Sequence, residues 1–230
     1  MSSITTSTGE RADLDHVRRE SGLFIAFEGV EGSGKSTHIH LVAERLRQLG
    51  VDPVATREPG GTPAGEAIRA VVLGTEYALG PEAELLLMLA ARAVFVAEVL
   101  RPALAAGRIV LADRYELSTL AYQGGGRGLS LDRIRAMNRL ATGGLRPDLC
   151  VLLDVDPEEG LARRRGQAPD RIESEDPGFH QRVAEAYRRL AAEEPEVALV
   201  NGRAEIGEVH AAVWELLSSR FPETFPPRGC

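Results

Sequence analysis

The run Gly29-Val30-Glu31-Gly32-Ser33-Gly34-Lys35-Ser36 constrains this chain more than any other stretch. Its glycines permit backbone turns that side-chain-bearing residues resist, and such turns aim consecutive N–H groups at one point. Before it, Leu23-Phe24-Ile25-Ala26-Phe27 is a short apolar run that reads as a buried parallel strand. After it, Ile39, Val42, Ala43, Leu46 and Leu49 fall at helical spacing between Ser36 and Leu49, and Gly50 ends the pattern. Strand, glycine loop and helix in that order make an anion seat, because the loop amides and the positive end of the helix dipole converge. The run matches the Walker A pattern of a P-loop. A chance match in a chain of this composition is about one in ten thousand, so an unliganded glycine turn is the poorer reading.

The seat dictates roles. Gly29, Val30, Glu31, Gly32, Ser33, Gly34, Lys35, Ser36 and Thr37 would wrap ATP. Lys35 would reach the β- and γ-phosphates, and the Ser36 hydroxyl would bind Mg²⁺. Lys35 is the only lysine among 27 basic residues, and it stands where a compact charge suits a phosphate better than a planar fork. Asp113 closes the apolar run Ile109-Val110-Leu111-Ala112, a natural place for a carboxylate that holds Mg²⁺ directly or through water. Asp154, at the end of Leu149 to Leu153, is a rival of lower rank because no arginine follows it directly.

The remaining pattern alternates strands and helices. Strands are expected at Val51 to Thr56, Ile109 to Ala112, Leu149 to Leu153 and Val197 to Val200. Helices are expected at Pro63 to Leu73, Pro81 to Ala106 with a kink at Pro102, Leu131 to Ala141, Pro157 to Arg165, Phe179 to Ala192 and Ile206 to Leu217. Gly124-Gly125-Gly126 reads as a loop. The expected class is α/β: a five-stranded parallel sheet with helices on both faces, the three-layer sandwich of P-loop NTPases. The expected domain spans 21–220. Polar residues 1–20 read as a flexible extension, and 221–230 as an irregular Pro-rich tail.

Composition excludes some partners. The net charge is −7 over 230 residues, so no global field draws the chain to nucleic acid or to an anionic membrane. The longest apolar stretches, such as Leu85 to Ala91, stop short of a membrane span, and residues 1–20 lack a secretory apolar core. Cys150 lies in an apolar run and Cys230 ends the chain, without metal spacing between them. The expected setting is therefore reduced and cytoplasmic.

A P-loop alone does not separate kinases from switches or motors. Three further segments do: Thr56-Arg57-Glu58-Pro59-Gly60-Gly61-Thr62, Asp113-Arg114-Tyr115-Glu116-Leu117-Ser118 and Ala121-Tyr122-Gln123-Gly124-Gly125. Arg57 and Arg114 follow the C-terminal ends of two parallel strands, where open α/β sheets place ligands, and guanidinium forks there suit the phosphate of a monophosphate acceptor. With Phe27-Glu28-Gly29-Val30-Glu31-Gly32, these segments closely resemble bacterial thymidylate kinase, from about Leu23 to Phe221.

The resemblance implies transfer of the γ-phosphoryl group of ATP to dTMP, with Mg²⁺, in a homodimer. It implies that Arg92 hydrogen-bonds the thymine edge, that Ser118 contacts the base, that Tyr122 packs near the sugar, and that Pro59 and Gln123 line the same pocket. Glu31 matches an acidic position close to the acceptor sugar and the transferred phosphate. Four residues before Arg92 the family commonly stacks a phenylalanine on thymine, and this chain has Met88. Met88 keeps open a related kinase for another nucleotide or nucleoside. A nucleotide-dependent switch without transfer is a remoter alternative.

Arg163-Arg164-Arg165 and Arg171 flank Gly166-Gln167-Ala168-Pro169. So dense a positive cluster, broken by Gly and Pro, suits a mobile lid over about 160–175. In the resembling family the catalytic arginine sits in the P-loop or in the lid. The P-loop position here is Gly32, so the lid supplies it, with Arg165 preferred and Arg163 second.

Overall fold

The computed structural model describes residues 22–164, 166 and 168–227. The expectations for residues 1–20 and for Arg165, Gln167 and Cys230 lie outside the described residues.

Five strands pair in parallel in the order β2-β3-β1-β4-β5: β1 Leu23–Glu28, β2 Val54–Arg57, β3 Ile109–Asp113, β4 Leu149–Asp154 and β5 Val197–Asn201. Register places Phe27 beside Asp113 on one side and beside Val151 on the other. The central strands are apolar at successive positions because both faces are covered. Phe24, Ala26, Val110, Ala112, Cys150 and Leu152 face one helical layer. Ile25, Phe27, Leu111, Val151 and Leu153 face the other.

The second layer is formed by α1 Lys35–Gln48, by α9 Ile206–Arg220 and by the tail. The first holds α2 Pro63–Leu73, α3 Pro81–Phe95, α4 Arg101–Ala105, α5 Glu116–Thr119, α6 Leu131–Thr142 and α8 Pro177–Glu193. The short α7, Pro157–Arg163, follows β4. Local chemistry sets these starts. Pro63 opens α2 and Thr62 Oγ1 caps it by accepting from Gly65 N at 2.9 Å, as Asp176 caps α8 ahead of Pro177.

Two expectations change. The long helix from Pro81 is not uniform: a π-helical turn, Val96–Leu100, separates α3 from α4 just before Pro102. Proline lacks the N–H that the preceding turn needs, and a widened turn accommodates that loss. The triple glycine is not a loop but the end of a buried π-helical segment, Leu120–Gly126. Its glycines serve close packing: a Cβ on Gly125 would lie 2.4 Å from Ala186 Cβ, and one on Gly126 would lie 2.5 Å from Phe179 Cε2. Residues 221–227 form no helix or strand, and they pack against the second layer. Phe225 is fully buried against Trp214, whose Nε1 donates to Pro226 O at 2.9 Å.

Candidate active site

The C-terminal ends of β1, β2 and β3 open into one cavity of about 930 Å³, where the strand order reverses about β1. Of the glycine loop, Glu31 to Ser36 line this cavity, with Gly29 and Val30 behind them. Gly29, Gly32 and Gly34 all take positive φ, and Gly34 stands in the left-handed region at the start of α1. The Lys35 ammonium curls over the loop and donates to Gly29 O at 3.1 Å, Val30 O at 2.9 Å and Ser33 Oγ at 3.3 Å. Burial lowers its pKa to about 8, the positive Arg114 adds to the fall, and Glu31 and Asp113 oppose it. Ser36 Oγ donates to Asp113 Oδ2 at 2.5 Å. These two hard oxygens, one from each side of the loop's mouth, suit Mg²⁺. Asp154 instead accepts from Arg188 Nε at 2.9 Å.

Glu31 holds the centre. Its Oε1 accepts from Arg114 Nη2 at 2.5 Å and its Oε2 from Arg164 Nη1 at 3.2 Å. Burial alone would raise its pKa, but the charges of Arg114, Lys35 and Arg164 outweigh burial and hold it at about 2. Arg114 has a φ of 76°, outside the usual range for a side-chain-bearing residue. That turn lets its guanidinium donate to Gly29 O at 3.0 Å, Ser118 Oγ at 3.1 Å and Tyr122 OH at 3.1 Å, with its Cζ 4.9 Å from the Tyr122 ring. Beneath it lies Glu28, fully buried, which accepts from Tyr115 N, Ser118 Oγ and Tyr187 OH. Burial raises the Glu28 pKa despite those bonds.

The far lobe carries the remaining expected residues. Pro59, Met88, Arg92, Ser118, Tyr122 and Gln123 all line the cavity, as does Arg57, which pairs with Glu66 at 3.1 Å. Arg92 is buried, and its donors already have protein partners. Nε bonds Glu58 Oε2 at 2.8 Å, Nη1 bonds Thr119 Oγ1 and Asn138 Oδ1, and Nη2 bonds Tyr115 O and lies 2.8 Å from Glu58 Oε2. Burial pushes the Glu58 carboxyl up to about 7 against the pull of Arg92. Arg69, which the sequence reading missed, lines the cavity beside Arg57 and donates to Pro59 O at 2.9 Å.

The arginine cluster is divided among roles. Arg163 bonds Glu159 at 2.6 Å and Gly202 O at 3.1 Å. Arg164, not singled out from sequence, reaches Glu31 and pairs with Glu173. Arg165 lies outside the described residues.

Residues 27–213 match the family model described as thymidylate kinase. A thymidylate kinase of a Synechococcus species is 48% identical over 201 residues, covering 87% of this chain and 96% of that protein. One from Deinococcus radiodurans is 50% identical over 202 residues, covering 86% and 98%. The crystal structure of thymidylate kinase from Ehrlichia chaffeensis superposes with a TM-score of 0.72 at 32% identity, over 86% of this chain and 99% of that one. With its Walker loop and arginine-lined cavity, the chain belongs to the thymidylate kinase family.

Proposed function

We propose that this chain transfers the γ-phosphoryl group of ATP to dTMP, with the polyphosphate on the Gly29–Ser36 loop and the acceptor in the lobe of Met88, Arg92, Tyr122 and Gln123. One observation carries the assignment of sides: within one cavity, the phosphate loop and Arg114 meet at Glu31. Arg57, Arg69 and Arg114 cluster where an acceptor phosphate would lie, opposite Lys35. Family membership sets aside the switch without transfer.

Lys35 exchanges its carbonyl partners for phosphate oxygens, whose negative charge favours the buried ammonium more than neutral carbonyls do. Arg114, oriented by Glu31 and Tyr122, holds the acceptor phosphate in line with the donor. Ser36 and Asp113 would hold Mg²⁺, which supplies charge neutralisation at the β- and γ-phosphates. Arg165 is our first choice for the arginine on the transferring phosphoryl and Arg163 the second, with Arg164 orienting Glu31. Arg92 borders the base pocket, and for it to reach the thymine edge one of its N–H groups would exchange a protein partner for the base. Tyr122 packs beneath the sugar, and Ser118 stands behind Arg114.

We also infer a homodimer, supported by exposed Leu86 on α3 and Leu140 on α6. A cytoplasmic setting suits the free, buried thiol of Cys150. Among the described residues no helix is long and apolar enough to cross a membrane. An ADP-release assay across deoxynucleoside monophosphates tests the acceptor. dTMP should give the highest kcat/KM, and an equal or better rate with another monophosphate would overturn the reading.

A further inference from the structure

Apart from the phosphate seat, a buried ionic knot joins α3 to the chain that follows α7. Glu84, in the first turn of α3, has no exposed side-chain area, yet it is a carboxylate. It accepts from Gln123 Nε2 at 2.8 Å, Arg127 Nη2 at 2.9 Å and Arg171 Nη2 at 2.7 Å. Burial would raise its pKa, but these bonds outweigh burial and lower it. Arg127 continues to Glu175 at 2.6 Å. Arg171 also donates through its backbone N to Leu73 O at 3.1 Å and through Nε to Val72 O at 2.9 Å.

The knot therefore bolts the exit of the arginine-rich segment to the end of α2 and the start of α3. The entrance of the same segment is fixed separately, where Gly160 abuts the Glu31 carbonyl. Gln123, which lines the acceptor lobe, spends its amide N–H on Glu84, so the lobe and the segment's exit share one carboxylate. A buried cluster of this kind is a weak source of net stability, because desolvating several charges offsets much of their attraction. Its effect is geometric: it fixes where the segment ends.

We propose that Glu84 is a positioning residue for phosphoryl transfer, holding the exit of the arginine-rich segment in register with the acceptor lobe through Arg171 and Gln123. This rests on the reading of the cavity as the ATP and dTMP site. Glu84 itself touches no substrate.

Glu84→Gln keeps the shape and removes the charge. With the full-length enzyme, kcat for transfer should fall about 10-fold or more while the Kd of a non-hydrolysable ATP analogue stays within about twofold. The ratio of transfer to acceptor-independent ATP hydrolysis should fall with kcat. A lowered melting temperature with unchanged kcat and ratio would reduce Glu84 to a structural group and overturn the proposal. A loss of analogue affinity matching the loss in kcat would also overturn it, because the effect would then lie at the phosphate loop. Should Glu84→Gln fail to fold, Arg171→Gln, which leaves Glu84 bonded to Arg127 and Gln123, carries the same test with the same expected results. Wild-type enzyme without dTMP-dependent ADP release would instead point to failure of the underlying functional reading.

Discussion

Gly32 of the phosphate loop rests directly on Gly160 of α7: a Cβ built on Gly32 falls 1.9 Å from Gly160 O, and one on Gly160 falls 2.1 Å from Glu31 O. No side chain fits between these two backbones. The contact gives a physical reason why the loop position held by Gly32 carries no arginine here, and why the arginines arrive from the segment that α7 leads into.

Gly160→Ala should therefore lift α7 from the loop. The expected result is a kcat reduced by about 10-fold or more with native far-ultraviolet circular dichroism, since a misplacement of about 1 Å near reacting groups costs rate before it costs fold. Unchanged kcat would mean that α7 need not touch the loop during turnover.

Lys35→Met should abolish measurable transfer and leave the fold intact, which steady-state kinetics and circular dichroism together would establish. The wild-type pH profile gives a second reading. With a Lys35 pKa of about 8, the ammonium is charged below that value and loses its proton as pH rises through it. The kcat/KM for ATP, which reports the free enzyme, should decline above pH about 8. The matching limb of kcat should lie at higher pH, because a bound polyphosphate favours the charged form. A profile of kcat/KM flat to pH about 10 would contradict this.

The three consecutive arginines should separate by kinetics. Arg165→Ala is expected to cut kcat by about 10²-fold or more with little change in ATP binding, as for a residue that meets charge in the transition state. Arg164→Ala should cost about 10-fold through loss of its hold on Glu31, and Arg163→Ala less, because its guanidinium is spent on Glu159 and Gly202. Near-normal turnover in Arg165→Ala would remove Arg165 from its role.

Met88→Phe should lower the KM for dTMP by about threefold to tenfold with kcat nearly unchanged, since a ring stacks on a base more rigidly than a thioether. A raised KM would show that Met88 fits this pocket better than the ring does.

Much of the architecture was legible because its signals are local. Val30 to Ser36 declares a phosphate loop by composition, and the apolar runs of β1, β3 and β4 declare a parallel sheet. Asp113 outranked Asp154 on the residue that follows it, and the structure sets Asp113 against Ser36 while Asp154 pairs with Arg188. Long-range facts were not legible. Gly124 to Gly126 reads as a loop from sequence, because glycine chosen for flexibility and glycine chosen for close approach to α6 and α8 are the same letter. The burial of Phe225 is not legible in a Pro-rich, irregular tail, because the ring that covers it, Trp214, belongs to α9. Nothing in the local sequence marks Glu28, Glu58 or Glu84 as a buried acid. Each is buried by partners distant in sequence, and only the fold brings those partners together. Sequence does not distinguish Arg164, because neighbouring residues at a helix end point in different directions, and which of them faces Glu31 depends on α7 ending at Arg163.

The most direct test of the central claim is a crystal structure with a non-hydrolysable ATP analogue and dTMP bound together. The analogue's terminal phosphate should lie within hydrogen-bond reach of Lys35 Nζ, facing a dTMP phosphate held by Arg114, with thymine beside Met88 and Arg92. A polyphosphate bound away from the Gly29–Ser36 loop, or a dTMP phosphate turned away from Arg114, would contradict that claim.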